Sequence, residues 1–211
     1  MKVSVSILSS SIKPQDIVKK LDNTKADFIH VDIMDGKFVE NKTWTISEVK
    51  KIASYSHLPL DVHLMIENPS KYIEDYALLN TSYITFHYEA VKDIDKTINE
   101  IKNYGLKVGI AINPETDEKV LYPYLTKIDQ VLVMSVHPGK SGQSFIDNTP
   151  NKIENLKQEI INQNAKTIIS VDGGINDETG KLCVDKGVDM LVSASYIHKD
   201  IINNINTLKN L

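Results

Sequence analysis

The sequence has little of what several protein classes require. It contains a single cysteine, Cys183, so no disulfide can form within the chain, and such sparing use fits a reducing compartment. No run approaches the roughly 18 apolar residues that a membrane-spanning helix needs. The net charge is −4, without the basic excess that nucleic-acid binding requires. The first residues, MKVSVSILSS, alternate like a strand rather than a secretory signal. We therefore expect a cytoplasmic protein that binds neither membranes nor nucleic acid.

The chain does contain a regular alternation of β-rich and helical segments. Its 211 residues, 41% of them hydrophobic, fit one domain over residues 1–211. Eight strands are predicted, at 2–8, 27–34, 59–65, 82–88, 106–112, 129–136, 166–172 and 188–193. A helical pattern follows each strand, which implies parallel strands joined by right-handed crossovers. Eight such units predict a (β/α)₈ TIM barrel with outer helices, and an open doubly wound sheet is the alternative.

The helical segments have recognisable beginnings and ends. Pro14 is typical of a first helical turn, and Gly105 and Gly187 are typical of the residue that follows a helix. The predicted helices include 14–25, 46–56, 70–79, 93–104 and 116–125, a helix ending near Asn164, and a final helix after the eighth strand.

Ionisable residues fall near the ends of three predicted strands. Strand 2 carries His30 and Asp32, two positions apart and therefore on one face, and strand 7 ends in Asp172. Strand 3 carries His63. A lone strand histidine is most simply a core residue, but barrel chemistry gathers at these strand ends. Two imidazoles and two carboxylates suit a divalent ion such as Zn²⁺, Fe²⁺ or Mn²⁺, so a metal site at these four residues is predicted.

Further polar residues near the strands have less certain roles. Asp61 is either an acceptor for a metal-ligating histidine or simply a residue at the start of a strand. His87 and Glu89, at the end of strand 4, either line the mouth of the barrel or form a structural rim. His57 and His198 fall in helical or connecting segments and are expected to face solvent.

Three late loops have the composition of a phosphate site. Small residues follow strands 6, 7 and 8, where barrels often present backbone N–H groups to phosphate. These residues are Gly139, Lys140, Ser141 and Gly142, then Gly173 and Gly174, then Ala194 and Ser195. Each pair alone is most simply a turn, but adjacent loops of this kind together indicate phosphate binding.

Methionines also cluster near the carboxyl ends of strands. Met34, Met65 and Met134 occupy such positions in strands 2, 3 and 6. They either fill irregular space in the core or form a water-poor cover around a reacting carbon.

Several of these segments together resemble one family. HVDIMDGKF, DVHLM, VMSVHPGKSGQSF and VDGGI, preceded by SILS, are similar to the motifs of ribulose-phosphate 3-epimerases. The resemblance is collinear from about Ser6 to Ser195. It implies a (β/α)₈ barrel that interconverts D-ribulose 5-phosphate and D-xylulose 5-phosphate with a divalent metal and no organic cofactor. It also implies a homo-oligomer, a dimer or larger.

The resemblance further implies roles for individual residues. The metal ligands correspond to His30, Asp32, His63 and Asp172, and the two acid/base groups to Asp32 and Asp172. The substrate contacts correspond to Ser6, His63, Gly139, Lys140, Ser141, Gly142, Asp172, Gly173, Gly174, Ala194 and Ser195, with Met34, Met65 and Met134 around the reacting centre. Epimerisation at C3 through an enediolate needs one ionised and one protonated carboxyl group, so the two pKa values must differ.

The sequence departs from the family pattern at several positions near the substrate. The departures are Val5, Glu40, Trp44–Thr45, His137, Lys140–Ser141 and Ala194. Lys140 either pairs with a phosphate or is a solvated loop residue, and Ala194 is tolerated only if its φ is negative. The alternatives are therefore an epimerase of a hexulose 6-phosphate, such as D-allulose 6-phosphate, and a non-catalytic sugar-phosphate-binding barrel.

Overall fold

The computed structural model describes residues 1–8 and 12–211. In this part of the chain eight parallel strands form a closed barrel in sequence order, with the last strand paired to the first. The strands are β1 (Lys2–Ser6), β2 (Phe28–Met34), β3 (Leu60–Met65), β4 (Thr81–His87), β5 (Lys107–Ile112), β6 (Gln130–Met134), β7 (Ile168–Asp172) and β8 (Met190–Ser193). The predicted (β/α)₈ barrel is confirmed, and the open sheet is excluded because β8 pairs with β1.

Helices surround the barrel. They are α1 (Pro14–Leu21), α2 (Ile46–Ala53), α3 (Ile73–Ala77), α4 (Ile94–Asn103), α5 (Thr149–Asn162), α6 (Asp177–Val184), α7 (Ser195–Lys199) and α8 (Ile201–Lys209). Short 3₁₀ helices cover Pro69–Lys71, Tyr88–Ala90 and Glu118–Tyr124. Among the residues that the structure describes, no helix has both the length and the apolar character needed to cross a membrane.

Several predicted helices differ from the observed ones. The segment predicted as a helix over 116–125 is a 3₁₀ helix with Pro123 inside it, and proline has no N–H for α-helical bonding. The helix predicted over 70–79 is a 3₁₀ turn followed by the five residues of α3. The final helix is divided at Asp200, whose carboxylate accepts a hydrogen bond from Asn203 N and caps α8.

The two faces of each strand explain why the barrel carries polar residues inside. In β2, Ile29, Val31 and Ile33 belong to the apolar cluster between the strands and the helices. His30 and Asp32 alternate with them and therefore point to the barrel interior, although both are almost completely buried. The alternation thus places ionisable side chains inside the barrel without exposing the apolar face.

Three aspartates secure the amino-terminal end of the barrel. Asp27, Asp129 and Asp189 each precede a strand, and each accepts a hydrogen bond from the amide of the second residue of β1, β5 or β7 at 2.7–2.9 Å. Asp27 also pairs with Lys209 at 2.8 Å, and Asp189 with Lys157 at 2.9 Å. Carboxylates at this end therefore link neighbouring strands, and two of the three also have a cationic partner.

Candidate metal and substrate site

Four side chains converge at the opposite, carboxyl-terminal end of the strands. One atom from each of His30, Asp32, His63 and Asp172 lies within 4.8 Å of the others. Asp32 Oδ1 lies 3.3 Å from His30 Nε2 and 3.1 Å from His63 Nδ1. Asp172 Oδ2 lies 3.7 Å from His30 Nε2 and 3.9 Å from His63 Nδ1. The four residues predicted as metal ligands thus surround one point, although they come from three strands.

The chemistry of these atoms fits a cation. His30 Nδ1 lies 2.8 Å from Asp61 Oδ2, and a carboxylate can only accept there, so the ring N–H lies on Nδ1. In the neutral ring the fully buried His30 Nε2 then carries a lone pair, and this atom has no hydrogen-bond partner among the described residues. Burial opposes a charge on this ring, but the charges and hydrogen bonds of Asp32 and Asp61 raise the pKa of His30 well above its usual range, so the surroundings favour a positive charge at this nitrogen. Lone pairs and carboxylate oxygens that face one another in a buried space call for a positive charge. The cluster could therefore hold a divalent metal ion.

Asp61 is an acceptor for a histidine of the cluster, the first of the two roles considered for it, and not simply a residue at the start of a strand. It accepts from His30 Nδ1 and, at 2.9 Å, from Ser4 Oγ on β1. This contact fixes the ring orientation of His30, the arrangement expected of a group that supports a metal ligand. Ser4 was not predicted. Its signal is the alternation of Ser4 and Ser6 in β1, which places both hydroxyls inside the barrel.

The two candidate acid/base groups have different electrostatic surroundings. Burial raises the pKa of Asp172, and the nearby charge of Asp32 raises it further, to about 7. Burial would also raise the pKa of Asp32, but the charge and hydrogen bonds of His30 and His63 hold it well below its usual range. At neutral pH one carboxyl group is ionised and the other can carry a proton, the split that two-sided proton transfer needs.

A cavity above the cluster collects most of the predicted substrate residues. Its lining includes Ser6, Asp32, Met34, Met65, Met134, Gly139, Lys140, Ser141, Gly142, Asp172, Gly173, Gly174, Ala194 and Ser195. His63 lies in the metal cluster instead, fully buried. Ser6 Oγ donates to Asp32 Oδ2 at 2.9 Å. The three methionines are at most 3% exposed, so they give this end of the cavity an apolar wall.

The glycine loops require glycine for packing reasons. Gly173 has a φ of +120°, and a Cβ on it would lie 2.5 Å from Val136 Cγ2. Ser135 Oγ donates to the carbonyls of Asp172 and Gly173, which holds the turn after β7 against β6. Asn41 Nδ2 donates to Gly139 O at 2.7 Å and joins the loop after β2 to the loop after β6. These contacts bring the backbone close to the cavity.

Two departures from the family pattern can now be placed. Ala194 has a φ of −115°, so its side chain introduces no left-handed strain. Lys140 is exposed at the rim of the cavity. His198, expected to face solvent, is instead half-buried with Nε2 2.8 Å from Ser6 O, so that prediction was wrong. The reason is that α7 packs back over the end of β1.

His87 and Glu89 neither line the cavity nor form a simple rim. Both lie behind His63: His87 Nε2 is 2.9 Å from His63 Nε2, and His87 Nδ1 is 3.3 Å from Glu89 Oε2. His87 is fully buried, and this burial lowers its pKa to about 4. The spacing of two residues repeats that of the pairs in β2 and β3, which is the signal that could have indicated an inward direction for His87.

Comparison with known proteins gives a consistent result. The model of the ribulose-phosphate 3 epimerase family matches residues 2–198. A ribulose-phosphate 3-epimerase of Methanocaldococcus jannaschii is 42% identical over 198 residues, covering 93% of this chain and 84% of the relative. One of Helicobacter pylori is 39% identical over 200 residues, covering 94% and 91%.

A solved structure agrees in fold. N-(5'-phosphoribosyl)anthranilate isomerase from Pyrococcus furiosus superposes with a TM-score of 0.66 at 18% identity, covering 100% of both chains. At that identity the likeness shows the barrel alone. The family match and the relatives cover nearly the whole chain and include every motif that surrounds the cluster. The chain belongs to the ribulose-phosphate 3-epimerase family.

Proposed function

We propose that this protein is a metal-dependent epimerase that interconverts D-ribulose 5-phosphate and D-xylulose 5-phosphate at C3. The observation that carries the proposal is the pair Asp32 and Asp172, which face one buried cluster with pKa values displaced in opposite directions. Family membership supplies the substrate class. A barrel that only bound sugar phosphates would have no use for two carboxyl groups held in different protonation states.

The reaction needs one proton to leave C3 and another to arrive on the opposite face. The ionised carboxylate, Asp32 at neutral pH, takes the C3 proton, and the electron pair moves towards the C2 oxygen to give an enediolate. Asp172, whose pKa of about 7 lets it carry a proton, gives that proton to C3 from the other side. In the reverse direction the two residues exchange roles.

The cluster supports this chemistry at the oxygen atoms of the substrate. His30 Nε2, His63 Nδ1 and the carboxylates of Asp32 and Asp172 would hold the ion. A bound divalent ion supplies Lewis-acid stabilisation of the negative charge that develops on substrate oxygens. Met34, Met65 and Met134 exclude water from this region, which strengthens the electrostatic interactions there.

The remainder of the cavity is assigned to substrate binding. Ser6 lines the reacting end, His63 acts from the cluster beneath it, and the backbone of residues 139–142, 173–174 and 194–195 encloses the phosphate end. A phosphate held away from C3 supplies binding energy that positions the reacting carbon.

Further properties form part of the same proposal. We infer that residues 1–211 act as one domain, that the ion is Zn²⁺, Fe²⁺ or Mn²⁺, and that the protein is a homo-oligomer of two or more chains. The buried free thiol of Cys183 is compatible with a reducing compartment such as the cytoplasm, where we place the protein.

A hexulose 6-phosphate remains the second candidate substrate because of where the unusual residues lie. Glu40 is about a hundred residues from His137 and Lys140 in sequence, yet all three line one hollow between the loops after β2 and β6. Residues that differ from the family pattern and lie together at the entrance of the cavity indicate a different substrate, such as a sugar phosphate longer by one carbon.

Exchange of the C3 proton tests the proposal directly. The purified protein, supplied with each of the three metals in turn, is incubated in deuterium oxide with a panel of ketose phosphates. Deuterium at C3 is then followed by proton NMR, with chelator-treated protein as the control. We expect the fastest exchange with ribulose 5-phosphate. Faster exchange with allulose 6-phosphate would favour the second candidate, and no exchange with any sugar would refute an epimerase function.

A further inference from the structure

A chain of three side chains runs from the metal cluster to the loop after β5. His63 contributes Nδ1 to the cluster, its Nε2 lies 2.9 Å from His87 Nε2, and His87 Nδ1 lies 3.3 Å from Glu89 Oε2. We propose that Glu89 and His87 are positioning residues that fix the tautomer of His63, so that its Nδ1 presents a lone pair to the ion. This inference rests on the proposed metal site, and neither residue is assigned to the reaction itself.

The direction of the chain follows from Glu89. An ionised carboxylate can only accept, so a neutral His87 that faces it must carry its hydrogen on Nδ1. His87 Nε2 is then an acceptor, and the 2.9 Å contact is a hydrogen bond only if His63 donates from Nε2. A neutral imidazole has one N–H, so His63 Nδ1 is left with a lone pair. The Glu89 carboxylate thereby determines, through His87, whether His63 Nδ1 carries a hydrogen.

Glu89 is itself held in place. Its Oε1 accepts from Asn113 N at 2.8 Å and from Thr116 Oγ1, both in the segment that follows β5. The carboxylate therefore faces His87 with one oxygen while the loop fixes the other. Surroundings that supply only donors also keep Glu89 ionised, since its pKa is lowered to about 2 despite burial.

The packing of the two rings keeps the contact between their nitrogens in place. The planes of the His63 and His87 rings differ by 26°, with centroids 5.0 Å apart, and the centroid of the Phe38 ring lies 4.8 Å from that of His87. Both histidines are fully buried. If His87 carried its hydrogen on Nε2 instead, its Nδ1 lone pair would face the Glu89 carboxylate without a hydrogen between them.

The consequence appears in the cluster. His63 Nδ1 lies 3.1 Å from Asp32 Oδ1, so Asp32 competes for a hydrogen on this nitrogen, whereas a cation in the cluster would need its lone pair. The acceptor at His87 Nε2 favours the hydrogen on His63 Nε2 and so leaves that lone pair free. Asp61 produces the same result at His30 by accepting from Nδ1. Two separate carboxylates, Asp61 and Glu89, thus direct a lone pair of each histidine to the same point.

Tautomers of the wild-type protein provide the first test. In protein loaded with Zn²⁺ and labelled with ¹⁵N in its histidines, long-range ¹H–¹⁵N spectra distinguish protonated from unprotonated ring nitrogens. We expect the hydrogen of His63 on Nε2 and that of His87 on Nδ1. A hydrogen on Nε2 of His87 would overturn the proposal, and this measurement needs no variant.

Zinc affinity provides the second test. Competition with a chromophoric chelator should show weaker zinc binding by about 10–100-fold in His87→Leu, which leaves His63 Nε2 without an acceptor. His87→Gln can accept with its amide oxygen and should recover most of the affinity, and Glu89→Gln should lie between the two. A folded His87→Leu protein that binds zinc as tightly as the wild type would overturn the inference.

A control separates positioning from general packing. Thr167 is buried just before β7, and its hydroxyl donates to Ile128 O at 2.9 Å, at the opposite end of that strand from Asp172. Thr167→Val should lower the melting temperature and leave zinc affinity unchanged. If it weakens zinc binding as much as His87→Leu does, the effect of His87 is one of stability alone. Wild-type protein that binds no zinc would refute both the metal site and the positioning role of His87 and Glu89. Normal zinc binding by the wild type and by the His87 and Glu89 variants would refute only the positioning role.

Discussion

The two ends of the barrel use aspartate in opposite ways. At the amino-terminal end, Asp27, Asp129 and Asp189 accept hydrogen bonds from backbone amides of neighbouring strands, and two of them also pair with lysines. At the carboxyl-terminal end, Asp32 and Asp172 face imidazole nitrogens and each other's charge in a buried space. Aspartate side chains therefore stabilise the fold at one end of the barrel, whereas at the other end two of them repel each other in a buried space.

The difference shows where stability and chemistry reside in this chain. A carboxylate with donors on every side contributes to folding, since removing it leaves a buried amide without an acceptor. A carboxyl group whose pKa is raised by burial and by a like charge contributes little to folding, and it is ready to exchange a proton. The predictions below concern aspartates from both ends, then two residues outside this contrast.

Asp172→Asn should have the largest effect. The amide has nearly the same shape but cannot transfer the proton, so kcat should fall by about 10²–10⁴-fold. In protein stripped of metal the melting temperature should fall little or rise, because the charge conflict with Asp32 is relieved. Deuterium exchange at C3 and thermal unfolding measure the two quantities. Substantial remaining activity would show that the acid/base pair is wrongly assigned.

Asp189→Ala should show the opposite behaviour. The substitution removes the acceptor of Ile169 N and the partner of Lys157, so the free energy of unfolding should fall by about 1–3 kcal/mol. The kcat should stay at the wild-type value because the residue lies at the other end of the barrel. Urea denaturation and a steady-state assay on the same preparation check both. If the variant lost activity but kept its full stability, the amino-terminal aspartates could not be assigned to stability alone.

Lys140→Ala should have a smaller effect that separates the two interpretations of this residue. Lys140 is exposed, and exposed charge contacts contribute about 0.2–1 kcal/mol, so the KM should rise by no more than about fivefold. Initial rates at several salt concentrations measure it. A larger rise that high salt abolishes would indicate a direct contact with the substrate phosphate.

Cys183 should show almost no reactivity in the native protein. Burial in α6 raises the pKa of its thiol to about 12, so at pH 8 the thiolate fraction is negligible. Titration with an aromatic disulfide should modify the thiol only after denaturant is added. Rapid modification of the native protein would mean that α6 opens readily.

The barrel could be predicted from the sequence because its signal is repeated eight times, and small errors at strand ends do not change the topology. The predicted β1 extends to Leu8 and the observed strand ends at Ser6. Helix type was less predictable, since Pro123 allows a 3₁₀ turn that apolar spacing alone does not distinguish from an α-helix.

The convergence of His30, Asp32, His63 and Asp172 was predictable for a similar reason. Residues two apart share a face of a strand, so His30 with Asp32 and Asp61 with His63 had to point the same way. The contacts of Ser4 and His87 with these residues could not be predicted. They join different strands, and the sequence does not give the register between strands. The orientation of His198 depended on how α7 packs over β1, which involves residues 192 positions apart.

The hydrogen bond from Asn41 to Gly139 has a consequence for loop motion. It joins the loop after β2 to the loop after β6, 98 residues away, and both loops line one hollow at the mouth of the barrel. Breaking one hydrogen bond of this kind costs about 0.5–1.5 kcal/mol net, which slows the opening by about tenfold at most. We therefore expect the contact of Asn41 with Gly139 to hold the two loops together only weakly, so that thermal motion breaks and re-forms it readily.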